Sequence, residues 1–244
     1  MIELVMLPSQ LDGGDLAEAQ VVVLDVLRAS STIVTALANG AREVRLFEKT
    51  DAVLAARHTT APPVLAAGER GCVKVPGFDL GNSPAEFGTH VIGGATILLS
   101  TTNGTRAAVA AESAAKIFVG CLLNAGATAN ALLERIDSGK TILLAAGTNG
   151  ALALEDVIGA GAIVWHLLNQ TYRTDLSLGD SAWLAYHVFI AAKPRLGAAL
   201  RLGAGGINLI EGGFEEDIDL CAALDSRPVV ALVQRDPLRV IKAE

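Results

Sequence analysis

Asp25 closes the apolar run Val21-Val22-Val23-Leu24, and Arg28, Ser30, Ser31 and Thr32 follow at once. A carboxylate at the end of a buried strand is costly without a partner. It either caps the next turn or does chemistry as a metal ligand, nucleophile or base. The arginine fork suits phosphate, carboxylate or sulfonate oxygens, which favours chemistry with Asp25 and Arg28 as catalytic candidates and Ser30, Ser31 and Thr32 as substrate donors. A D-x-D phosphatase motif is absent, because Val26 and Leu27 follow Asp25.

The same arrangement recurs. Ile97-Leu98-Leu99 empties into Ser100-Thr101-Thr102-Asn103-Gly104-Thr105-Arg106, and Ile142-Leu143-Leu144 into Gly147-Thr148-Asn149-Gly150. Hydroxyl- and glycine-rich loops between a strand and a helix N-terminus bind anions, phosphate above all. Thr101, Thr102, Asn103, Gly104 and Thr105 are therefore substrate-binding candidates. Glu155-Asp156, just beyond the third loop, either complement a helix dipole or reach back to Mg²⁺, which takes one or two protein carboxylates plus water. Glu69-Arg70 ends another apolar run, as a surface pair or as catalytic groups, with Arg70 an anion ligand. In Asp79-Leu80-Gly81-Asn82-Ser83-Pro84, Ser83 reads as an N-cap before Pro84. Asp79 is a further metal candidate, and Asn82 and Ser83 are substrate-binding candidates.

Other constellations carry less. Cys221 and Arg227 have the C-x5-R spacing of thiolate phosphatases, but the segment reads as the end of an amphipathic helix begun near Glu215, with a structural cysteine. His58, His90, His166 and His187 show no metal-ligand spacing. Neither G-x-G-x-x-G after the first strand nor G-x-x-x-x-G-K-[ST] is present, which disfavours a nucleotide-binding domain.

These residues need a scaffold that gathers strand ends. Strands are expected near 2–7, 21–26, 42–47, 64–67, 96–100, 117–120, 141–146 and 229–234. Helices are expected from Ser31 to Asn39-Gly40, from Thr50 to His58, after Asn103-Gly104, and from Ala125 to Ser138. This alternation predicts an α/β fold, with a mostly parallel sheet covered by helices. A helical section over about 154–224 then returns one strand to the sheet. The 244 residues, 51% of them hydrophobic and 4% aromatic, suffice for one large domain or two small subdomains. A net charge of −7 without a basic cluster argues against nucleic acid. An anionic substrate therefore needs a local cation. No apolar run is long enough to span a membrane, the N-terminus lacks a signal-peptide pattern, and three scattered cysteines fit a reducing cytoplasm.

Taken in order, the segments resemble the 2-phosphosulfolactate phosphatase (ComB-like) family over close to the whole chain. They are Asp25–Thr32, Gly68-Glu69-Arg70-Gly71, Gly77–Pro84 with Glu86, and Ser100–Thr105. Ala146-Gly147 with Glu155-Asp156, Ala160-Gly161, and Asp217 with Cys221 complete the set. The resemblance implies a two-part α/β architecture with an active-site cleft between the parts, usually dimeric. It implies a Mg²⁺-dependent phosphatase converting (2R)-2-phospho-3-sulfolactate to 3-sulfolactate and phosphate, a step towards coenzyme M. In this frame Asp25 with Glu155 or Asp156, and Asp79 further, would hold Mg²⁺. The alternatives are a related phosphatase for another phospho-hydroxy acid and a non-catalytic anion-binding protein. The acids at the site argue against the latter.

Overall fold

The computed structural model describes residues 1–11, 16–137, 139–170 and 176–243. Ten strands form one sheet: β1 (Ile2–Val5), β2 (Gln20–Leu24), β3 (Glu43–Leu46), β4 (Val64–Arg70), β5 (Val73–Lys74), β6 (Thr96–Ser100), β7 (Lys116–Gly120), β8 (Thr141–Ala145), β9 (Ala231–Gln234) and β10 (Arg239–Lys242). The helices are α1 (Ala29–Ala38), α2 (Thr50–Thr59), α3 (Thr89–Ile92), α4 (Gly104–Ala110), α5 (Ala125–Leu133), α6 (Leu154–Gln170), α7 (Asp180–Ala192), α8 (Leu196–Leu200), α9 (Ala204–Glu211) and α10 (Glu215–Cys221).

Strand order is β1-β8-β2-β7-β9-β10-β3-β6-β4-β5. β1, β8, β2 and β7 pair in parallel, as do β3, β6 and β4. The antiparallel hairpin β9–β10 joins these two blocks. β2, β6 and β8 are buried along their whole length, and their apolar runs suit strands covered on both faces. Across the hairpin the two blocks have opposite formal sense, yet the loops after β2, β4 and β6 touch one another. The sheet must therefore coil, as the right-handed twist of about 20–25° per strand accumulates. Two parallel blocks thus make up one continuous sheet, with strand carboxyl ends converging from both.

The expected helical section is α6 to α10, and it returns two strands instead of one. β10 escapes pattern reading because Arg239-Val240-Ile241-Lys242 offers only two apolar residues between charges. β5 is a two-residue pair on the end of β4. The fourth expected helix ends at Leu133, and Ser138 lies outside the described residues. Gly68 shows how closely the second block packs: a Cβ there would collide with the Ser100 carbonyl on β6. No described helix is long and apolar enough to cross a membrane.

Candidate active site

Asp25 follows the last residue of β2 and is only 7% exposed. One carboxylate oxygen accepts the N–H of Ala29 in the first turn of α1 at 3.2 Å. Gly104, at the start of α4, packs against the other, and a Cβ there would come within 2.9 Å of it. Burial lifts the Asp25 carboxyl to about 7. The Ala29 N–H opposes this, and the charges of Glu69 and Glu155 add to it.

Asp156 and Glu155 lie in the first turn of α6 and differ in role. Asp156 accepts the N–H groups of Val26 at 2.8 Å and Gly147 at 3.0 Å. It thereby clamps the loop after β2 to the loop after β8. Burial, then the charges of Asp25 and Glu155, raise it well above the usual carboxylate range. Glu155 takes one long bond from the Thr148 hydroxyl, 3.4 Å. Its Oε2 is buried without a partner, and burial raises its carboxyl too.

Glu69 is held by three donors: the N–H and hydroxyl of Thr102, each at 3.0 Å, and the N–H of Cys72 at 3.0 Å. It ties β4 to the loop after β6. Arg28 donates to Asp217 at 2.6 Å and to the Cys72 carbonyl at 3.2 Å, and its guanidinium lies 4.4 Å from the centre of the Phe214 ring.

One cavity of about 450 Å³ collects Asp25, Arg28, Glu69, Asn82, Thr102 and Asn103. Asp25, Glu69 and Arg28 are the charged groups of its wall near Cys72 and Asn103, and Glu155 is buried close to Asp25. The Asn82 side-chain oxygen is buried and unpartnered. Asn208, Leu209 and Glu211 of α9 also line the cavity, as do Thr148 and Asn149. Sequence reasoning missed the α9 wall and Cys72, because α9 reaches the cavity only through tertiary packing.

Several expected donors are turned elsewhere. Ser30 accepts the N–H of Asp25 at 2.9 Å, Ser31 donates to the Val26 carbonyl at 2.7 Å, and Thr32 donates to the Asn82 carbonyl at 2.8 Å. All three are buried and serve as pegs between α1 and its neighbours. The Thr101 and Thr105 hydroxyls sit 3.3 Å apart and satisfy each other. Arg70 is spent on the carbonyls of Glu69, Ser100 and Glu48 and on the Ser100 hydroxyl, outside the cavity. Asp79 also lies outside it. One Asp79 oxygen pairs with Arg57 at 2.8 Å and the other accepts the Ala66 N–H at 2.8 Å, so it braces α2 against β4 and offers no free oxygen to a metal. Ser83 caps nothing; its hydroxyl donates to Asp217 at 2.5 Å, a charged acceptor stronger than a helix-end N–H. Cys221 is fully buried at the end of α10, and burial pushes its thiol upward, which does not suit a thiolate nucleophile.

Among the described residues no three His, Cys, Asp or Glu side chains form a group able to hold a metal alone. Mg²⁺ does not need one, since it keeps waters and uses one or two carboxylates with substrate phosphate. Asp25 on the cavity wall and the Glu155 carboxylate buried close to it are hard oxygen donors of that kind, and a lone guanidinium already bound to Asp217 cannot offset a polyanionic ligand.

The family described as 2-phosphosulpholactate phosphatase matches residues 5–236. A Deinococcus radiodurans protein is 41% identical over 216 residues, covering 88% of each chain. A Thermotoga maritima protein is 40% identical over 213 residues, 87% of this chain and 88% of the relative. One from Caldanaerobacter subterraneus subsp. tengcongensis is 36% identical over 226 residues, 92% of each. Each is named "Probable 2-phosphosulfolactate phosphatase".

Proposed function

This chain belongs to the 2-phosphosulpholactate phosphatase family and is a phosphoric monoester hydrolase, and on that premise we propose that it hydrolyses (2R)-2-phospho-3-sulfolactate to 3-sulfolactate and phosphate with Mg²⁺, in the cytoplasm, as a homodimer serving coenzyme M biosynthesis. The observation that carries this reading is a cavity lined by the buried acids Asp25 and Glu69 and by one guanidinium, Arg28, with Glu155 buried close to Asp25. Asp25 and Glu155 would hold Mg²⁺. When bound, the ion offsets phosphate charge and lowers the pKa of an attacking water.

The chain's own groups do the rest. Asp25 is held against α1 by the Ala29 N–H, so its carboxylate keeps one orientation on the cavity wall. The Glu69 carboxylate fixes Thr102 and with it the position of Asn103. Arg28 keeps N–H groups for the sulfonate or carboxylate, remote from the reacting phosphorus. Water adds to phosphorus, the ester P–O bond breaks, and the alkoxide leaves with a proton as 3-sulfolactate. The outward residues Trp183, Leu184 and Ile190 of α7 offer the apolar face that a homodimer would bury.

One observation favours a second reading. With Arg70 turned away, the cavity has one guanidinium for two further anionic groups, which suits a phospho-hydroxy acid lacking the sulfonate. Phosphate release from phosphosulfolactate, phospholactate and phosphoglycerate, each with Mg²⁺ and with excess chelator, tests both. Preference for phosphosulfolactate and silence in chelator are expected. Preference for another ester overturns the substrate assignment, and turnover by metal-stripped protein overturns the Mg²⁺ assignment.

A further inference from the structure

Asp217, on α10, engages two side chains that lie far away in sequence. Its two oxygens hold Arg28 Nη1 at 2.6 Å and the Ser83 hydroxyl at 2.5 Å. Both ends of the Arg28–Asp217 pair are buried, with side chains 2% and 4% exposed. α10 thereby fastens the loop after β2 to the segment before Pro84. The Phe214 ring beneath the guanidinium and the Cys72 carbonyl on its second nitrogen leave the group a single orientation. A buried, bidentate-capable fork gains its specificity from such fixed geometry.

We propose that Asp217 is a positioning residue for the phosphatase reaction: through Arg28 it sets the guanidinium edge that receives the non-phosphate anion of the substrate, with Ser83 holding Asp217 in register. This rests on the substrate reading above, because a ligand with a second anionic group is what gives Arg28 a task. Asp217 does not line the cavity and so does not touch the reacting phosphorus. Its loss should therefore weaken substrate binding more than the chemical step.

The experiment is a double-mutant cycle on full-length protein, with phosphosulfolactate as substrate and Mg²⁺ present. Asp217→Asn is expected to raise KM about tenfold while kcat changes by less than about threefold. Ser83→Ala, the milder variant should Asp217→Asn fail to fold, is expected to raise KM in the same direction by a smaller factor. In an Arg28→Met background neither substitution should add anything further, because residues acting through a shared partner are non-additive. Additive losses, or a fall in kcat at constant KM, overturn the positioning role. Wild-type protein silent on phosphosulfolactate overturns the substrate reading and this proposal with it. Wild-type turnover with unchanged variants overturns this proposal alone.

Discussion

Gly205 lies so close to Glu155 that a methyl group on it would collide with the Oε1 carboxylate oxygen. A Cβ on Gly203 would come within 2.7 Å of Oε2. The start of α9 thus packs directly on the Glu155 carboxylate, and small residues are the condition for it.

Gly205→Ala is expected to displace the Glu155 carboxylate and to cost about 1–3 kcal/mol of stability by overpacking. Activity should fall much further, by about 100-fold, since a displacement on the order of 1 Å is enough for that. Steady-state kinetics beside thermal unfolding check it. A variant that loses stability but keeps kcat/KM would show that Glu155 has no part in the reaction.

Stability of the metal-free protein should fall as pH rises. Asp25 titrates near 7 in the folded chain against the ordinary 3.8, so below pH 4 both states bind the proton. Between about 4 and 7 the native state holds more protons than the unfolded one, and the slope of stability against pH is negative. Asp156 and Glu155 shift in the same direction. A shift of about three units corresponds to roughly 4 kcal/mol as an upper bound. Unfolding midpoints between pH 5 and 8 should therefore decline without metal and flatten with millimolar Mg²⁺. Asp25→Asn should raise the metal-free midpoint at pH 8 and abolish the response to Mg²⁺. A flat profile without metal would refute the clustered-carboxylate account.

Asp79→Ala should behave as a structural variant. Its Arg57 partner and the Ala66 N–H lose an acceptor, at a cost of about 1–2 kcal/mol for the buried amide and less for the half-exposed ion pair. kcat/KM and the Mg²⁺ requirement should stay within about twofold of wild type. A loss of Mg²⁺ dependence would restore Asp79 to the metal site.

The contrast between Asp25 and Asp79 shows what a sequence can reveal. Both sit near strand ends in loops of similar composition, and local spacing finds both. Asp25 lines the cavity, whereas Asp79 lies outside it and is held by Arg57 of α2. The hydroxyls Ser30, Ser31 and Thr32 mislead for a related reason. α1 is buried on nearly every side, so it has no polar stripe to say which face meets the cavity. Strands such as Val21–Leu24 and Ile97–Leu99 were legible because buried parallel strands are continuous apolar runs. Of the hairpin at the centre of the sheet, β9 was legible and β10 was not, since β10 lacks such a run.

Thiol chemistry separates the structural cysteines from the one at the cavity. Burial pushes the Cys121 thiol up to about 12 and Cys221 further still, and both are fully buried. Cys72 is half-buried on the cavity wall, and its thiol is also raised, by burial first and against the charge of Arg28. Native protein at pH 7.5 should therefore take up iodoacetamide slowly and at Cys72 alone, and a bound phosphate ester should slow it further. Denaturant should open all three thiols. Cys221→Ala should cost stability on the order of 1–2 kcal/mol through a small cavity while leaving kcat near wild type. A kcat collapse with an unchanged unfolding midpoint would instead make Cys221 a nucleophile and would require α10 to open during turnover.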